Sequence, residues 1–411
     1  MHSNKRQGLG IRDWGFALVT LYMVAPYLVS GQTLSAQQYT FEQVAAGLKH
    51  NEAATRIRAI QILRDADYAE AAGPIGETLG DSDDRVQLAA IDAERSLFTL
   101  RPVSRRQRIG FIIEKRTTVG ASDAAANGQL VLKARAIPSE LLSGLVLALS
   151  DTSPRVRIEA IGLAALLSPV ACANQHAARR EQLCAQIGNV LIENINSREP
   201  EVRRAAMHTL GRLRYTNGVQ ALLDQFSYHQ KGPDAAAALD ALAGIGHGSA
   251  SSVFEQALAS SNAGWRRLGV EGLARSGNRE ALAHLQQAGQ NEGSSEVLLA
   301  LHFANIKLGE PGASLAQIVA SAGDSTLRPF AVQYLLDIAP SGSAQLAPFL
   351  SDPDAEIRRI IADVLGFSGD AQIVPALEAA ARDADADTAA AAQRALERIN
   401  LNRASAVSPG G

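Results

Sequence analysis

The sequence predicts an all-α fold, a solenoid of about nine stacked helical pairs, and three observations carry that reading. First, the pattern V-R-x-x-A-x-x-x-L returns about every 31 residues, and its last Leu forms a column through Leu210, Leu242, Leu273, Leu335, Leu365 and Leu396. Second, the chain is 46% hydrophobic but only 5% aromatic. Its core must therefore be built from Ala, Leu, Val and Ile, which suits close helix packing and disfavours a β-sandwich. Third, 411 residues would ordinarily divide into two or three globular domains, whereas a fixed short period makes one elongated stack in which each repeat buries its apolar face on its neighbours.

The elements follow in order. Residues 1–36 read as an export signal: Lys5, Arg6 and Arg12 precede an uncharged stretch from Trp14 to Ser30, and Leu34-Ser35-Ala36 offers a cleavage site before Gln37. The alternative is an uncleaved N-terminal membrane anchor, against which Pro26 counts. Both place residues 37–400, the solenoid, outside the cytoplasm, in the periplasm or secreted. The first pair opens near Phe41 and runs through Arg56, Ala59 and Leu63; the second starts at Asp81-Ser82-Asp83-Asp84-Arg85-Val86 and the third at Asp151-Thr152-Ser153-Pro154. Asp81, Asp151, Ser197, Ser260 and Asp352 stand five residues before the apolar anchors, suited to cap the next helix, and Pro154, Pro200 and Pro353 sit at or near helix starts. The copy at Leu301 to Gly309 is out of phase, so a kink is expected there. Residues 401–411 lack periodicity and are expected to be disordered.

Two insertions break the period. Residues 99–137 carry Arg101, Arg105, Arg106, Arg108, Lys115, Arg116, Lys133 and Arg135 against Glu114 and Asp123. The β-capable stretches Ile109 to Val119 and Leu130 to Ile137 flank Asn127-Gly128, so an inserted loop or short β-hairpin lying on the solenoid is expected. The second insertion, 168–181, lengthens the loop of the third repeat; Cys172 lies near its start and Cys184 just past its end. An exported chain with two Cys predicts a disulfide between them; a metal site using His176 is the weaker option, being short of ligands.

Ser351-Asp352-Pro353-Asp354-Ala355-Glu356-Ile357-Arg358-Arg359, with Leu365-Gly366 and Gly369-Asp370, resembles the HEAT-repeat family, and more narrowly the short HEAT-like repeats named after the phycobilisome lyases. The resemblance covers roughly residues 40 to 400. It implies the fold and is almost silent on function, since the family ranges from scaffolds to a few enzymes. HEAT-repeat deoxyhypusine hydroxylase holds its metals with His-Glu pairs; here no His is followed by Glu, and no catalytic residue of the lyases can be placed.

The remaining motifs have structural readings. Gly244-Ile245-Gly246-His247-Gly248 follows a helix and reads as a helix-ending turn, not a phosphate loop. Arg56, Arg157, Arg203, Arg266, Arg328 and Arg358 form a column after the anchors. Acids such as Asp81, Asp151, Asp324 and Asp352 recur in adjoining loops, which predicts a ladder of Arg bonded to loop carboxylates and carbonyls. Trp265 takes the Val place of its copy and is expected to pack between repeats. The last repeat is acidic, which suits a solvated cap or, alternatively, end-to-end association.

Without residues 1–36 the formal charge is −5, which gives no sign of general affinity for nucleic acid, and no nucleic-acid partner is expected. The expected function is a non-enzymatic scaffold for a protein or peptide partner, engaged along the surface of the second helices, with no catalytic residue, metal or cofactor. Arg105, Arg106, Arg108, Lys115 and Arg116 are the candidate contacts to an acidic partner or to anionic lipid headgroups. The competing expectations are a lyase- or hydroxylase-type enzyme with a concave pocket and a structural organiser of the envelope.

Overall fold

The structure is a computed structural model and describes residues 40–100, 128–173 and 178–407. A short leading helix, α1 (Phe41–Gly47), is closed by a capping box between Thr40 and Gln43. Nine helical pairs follow among the described residues. They are α2 (Ala53–Ala66) with α3 (Ala72–Glu77), α4 (Asp84–Phe98) with α5 (Ser139–Leu149), α6 (Pro154–Ala173) with α7 (Ala178–Asn194), and α8 (Pro200–Leu213) with α9 (Val219–His229). Next come α10 (Pro233–Ile245) with α11 (Ser251–Leu258), α12 (Ala263–Ser276) with α13 (Ala281–Gly289), and α14 (Ser295–Lys307) with α15 (Ala316–Gly323). In the eighth pair both helices are fused as α16 (Arg328–Leu346), broken by non-helical backbone at Gly342 just after Pro340. Pro340 has no N–H to give the preceding turn, which is why the break falls there. Then α17 (Ala355–Gly366) pairs with α18 (Val374–Ala380), and α19 (Ala386–Val407) closes the stack.

The register read from sequence holds. Leu210, Leu242, Leu273, Leu335 and Leu365 are all buried, as are the anchors Val86, Val156, Val202 and Ile357, while Leu396 on the closing helix is half-buried. α6 is long and apolar enough to cross a bilayer, but half of that stretch is buried inside the stack. Where the copy at Leu301 to Gly309 falls out of phase, the core is carried across by Phe303, whose ring stacks on Tyr334 at 4.5 Å. Trp265 is only half-buried, its ring 5.8 Å from Phe226 on α9, two pairs earlier, so it edges the seam between repeats instead of filling it.

Several local expectations need correction. The residues five before the anchors shape the loop but do not cap the helix. Asp81, Asp151 and Asp352 accept from backbone N–H groups two residues on, and the caps are the later Asp83, Asn262 and Asp354, which accept from Arg85, Trp265 and Glu356. Residues 401–407 continue α19 as helix where a disordered tail was expected over 401–411; residues 408–411 lie outside the described residues. The second insertion is helical where described: residues 168–173 extend α6 and 178–181 begin α7. In the first insertion, Gly128–Val131 is a 3-10 turn and Leu132 bridges antiparallel to Thr99. Leu130 to Ile137 thus pairs with the other end of its own insertion; Ile109 to Val119 lies outside the described residues.

The Arg column is the ladder expected. Each member reaches back to carbonyls six and five residues earlier and forward to a carboxylate of the next repeat. Arg56 donates to His50 and Asn51 O at 2.8 and 2.9 Å and grips Asp81 twice at 2.7 Å. Arg266 does the same with Ser260 and Ser261 O and Glu292, and Arg358 with Asp352 and Pro353 O and Asp383. In the second repeat Gln87 takes the Arg place and donates to Asp151 at 3.0 Å. One guanidinium thus ties a loop to itself and to its neighbour, satisfying loop carbonyls with charge-assisted bonds.

Candidate functional site

The stack curls with the first helices inside, so first helices two and four repeats apart touch. Their inner column lies two residues before the Leu column: His208, Asp240, Glu271, Gln333, Asp363 and Arg394. A buried network grows from it. Glu271 on α12 accepts from the Tyr334 hydroxyl at 2.6 Å, from Arg275 at 2.9 Å, and from Arg267. Asp337 on α16 accepts from Arg275 at 2.8 Å and from Arg214 at the end of α8. Burial acts against the Asp337 charge, but Arg275 and Arg214 outweigh it and hold the carboxyl below its ordinary range. The same burial, with Glu271 beside it, pushes the Tyr334 hydroxyl well up. The close approach of α12 to α10 depends on Gly246: at φ +68 it ends α10, and a Cβ there would lie 2.3 Å from that of Arg275. The Gly244 to Gly248 motif is this helix-ending turn.

The first insertion closes the interior. Gly128–Val131 packs against α6, α16 and α17, and Leu132 O accepts from Arg398 of α19 at 2.9 Å. Arg398 is buried over the ring of Phe367, and desolvation lowers its pKa to about 10. Lys133 and Arg135 are both held by Asp67, at 2.8 and 3.1 Å. Asp67 and Arg214, the C-caps of α2 and α8, both adopt left-handed backbone at φ 56 and 51. That conformation costs a non-Gly residue roughly 1–2 kcal/mol and is tolerated where surrounding contacts over-determine it.

Further along α4, Glu94 stands in the Leu column of its repeat, fully buried, and neither carboxyl oxygen has a hydrogen-bond partner. Burial alone raises its pKa well above the carboxylate range, favouring the neutral acid.

Of the residues singled out from sequence, Cys172 and Cys184 are joined in a disulfide, which removes the thiolates a metal site would need. Arg105, Arg106, Arg108, Lys115 and Arg116 lie outside the described residues. The two basic residues of that insertion that are described, Lys133 and Arg135, are spent on the protein's own Asp67. Sequence reasoning missed the inner column, although its signal was available: a polar residue two places before successive column leucines. The described residues bring no three His, Cys, Asp or Glu side chains together as a metal site would require.

Residues 313–407 match the family model for HEAT repeats. The chain is similar to an engineered protein at 18% identity, covering 88% of this chain and 98% of that one, with a TM-score of 0.38. It is also similar to the complex of CpcE and CpcF of phycocyanin lyase from Nostoc sp. PCC7120, at 17% identity over 72% and 98% of the two chains with a TM-score of 0.38. Human deoxyhypusine hydroxylase is similar at 14% identity over 64% and 97%, with a TM-score of 0.29. Curated proteins gave no significant match.

Proposed function

We propose that the chain, whose residues 313–407 match the HEAT-repeat model, is an exported, non-enzymatic scaffold that binds a protein or peptide partner in the cell envelope. One observation carries this reading. The inner first helices spend most of their charged side chains on one another, so the extended surface left to a partner is that of the second helices and their loops. Large apolar side chains stand out on that surface: Tyr228 on α9 is 82% exposed and Leu147 on α5 59%. Exposed Tyr is well suited to anchor an interface. The Cys172–Cys184 disulfide fits an oxidising compartment.

Photo-crosslinking from position 228 in cells, followed by mass spectrometry, should capture one envelope protein reproducibly. Replacing Tyr228 by Ala in a chain that crosslinks from Leu147 should weaken that capture. Crosslinks confined to the chain itself, or a full-length cytosolic product beginning at Met1, would overturn the reading. Reversing the charge of Arg105, Arg106, Arg108, Lys115 and Arg116 tests the insertion separately, since capture through those groups should fall with substitution and with salt. Stoichiometric metal in the purified protein would favour the enzyme instead.

A further inference from the structure

Among the described residues, the inner face holds a neighbouring imidazole and guanidinium, His208 and Arg212, with donor groups that its network does not use. His208 on α8 has Nδ1 2.7 Å from Asp240 Oδ2, a contact that fixes the ring and leaves Nε2 directed away from that carboxylate. Arg212 follows one turn later on the same helix, so the two side chains share a face. Among the described residues neither His208 Nε2 nor the Arg212 guanidinium has a hydrogen-bond or ion-pair partner. The other arginines of these inner positions are bonded: Arg204 to Asp234, Arg267 and Arg275 to Glu271, Arg394 to Asp363, and Arg398 to Leu132 O.

The site is reachable. The His208 side chain is 51% exposed and Asp240 43%, while Arg212 is half-buried. Burial lowers the Arg212 pKa, whereas the bond to Asp240 raises that of His208. The planar fork of a half-buried guanidinium matches the two oxygens of a carboxylate.

We propose that His208 and Arg212 form a carboxylate-binding site on the inner face, taking an acidic side chain or the chain end of a peptide segment. Asp240 selects the charge class: standing beside the imidazole, it repels a phosphate dianion more than a singly charged carboxylate. The site stands on its own geometry and does not depend on the scaffold reading.

The test is histidine-resolved NMR on the full chain, with the His208 resonance identified by its loss in His208→Gln. The chain is titrated at constant ionic strength with a capped Glu-containing tripeptide and, separately, with inorganic phosphate. A saturable His208 shift is expected with the peptide, tighter than with phosphate. Arg212→Gln should weaken peptide binding about tenfold, the scale of one lost charge-assisted contact. Arg198→Gln, which removes the same charge from an exposed loop, should leave binding unchanged. If Arg212→Gln fails to fold, Arg212→Lys keeps the charge, loses the fork and should also bind more weakly. No saturable shift, unchanged affinity in the Arg212 variants, an equal loss in Arg198→Gln, or tighter binding of phosphate would each overturn the proposal.

Discussion

Asp337 accepts a hydrogen bond from Arg275 Nε at 2.8 Å and another from Arg214, residues 62 and 123 positions earlier in the chain. Both Arg275 and Asp337 are buried to within a few per cent, so this contact joins three first helices that a straight stack would hold apart. Breaking a buried pair by removing one partner strands the other charge. Asp337→Ala should therefore cost about 3–5 kcal/mol in denaturant unfolding. It should also enlarge the radius of gyration in small-angle scattering, whereas a local role would lower stability without changing dimensions.

Glu94→Leu should stabilise the chain, by about 1–3 kcal/mol at neutral pH, because it replaces an unpartnered buried carboxyl with the residue its column carries elsewhere. Its raised folded pKa means the unfolded chain ionises first, so the penalty is present at neutral pH and absent below about 4.5, the unfolded value. The difference between the two proteins should accordingly narrow in acid, to the part set by packing and by the unpartnered neutral carboxyl. A gain independent of pH would assign the effect to packing alone.

The ladder predicts the opposite acid response at Glu292. Its bond from Arg266 lowers its pKa to about 2, against 4.5 unfolded, so its stabilising contribution is complete above 4.5 and is lost as pH falls towards 2. Arg266→Met should lower the melting temperature at pH 7 and narrow its difference from wild type as pH falls through that window. A difference that stays constant would show that the Ser260 and Ser261 carbonyl contacts, not the carboxylate, carry the effect.

Reduction of Cys172–Cys184 should destabilise the chain by about 3 kcal/mol, the entropy scale for a closed loop of this size. Labelling of unreduced, denatured protein should find no free thiol at either position. Equal unfolding midpoints with and without reductant would show that α6 and α7 hold the loop unaided.

The repeat period, the buried Leu column, the Arg ladder and the disulfide were legible because each is local or periodic: Arg203 needs only its own loop and the next repeat to find Ser197, Arg198 and Asp234. The caps at Asp83 and Asp354 were misplaced by two residues because loop turns and helix caps use the same residue types. The helix through residues 401–407 escaped because its sequence does not carry the repeat. What the sequence determined alone is thus the nearest-neighbour stack. Only tertiary structure decided how far the stack curls, which brings Asp337 to Arg214 and Leu132 to Arg398, and leaves His208 Nε2 and the Arg212 guanidinium without a hydrogen-bond partner among the described residues. A small rotation at each repeat accumulates over the whole chain, and no single repeat's residues encode the sum.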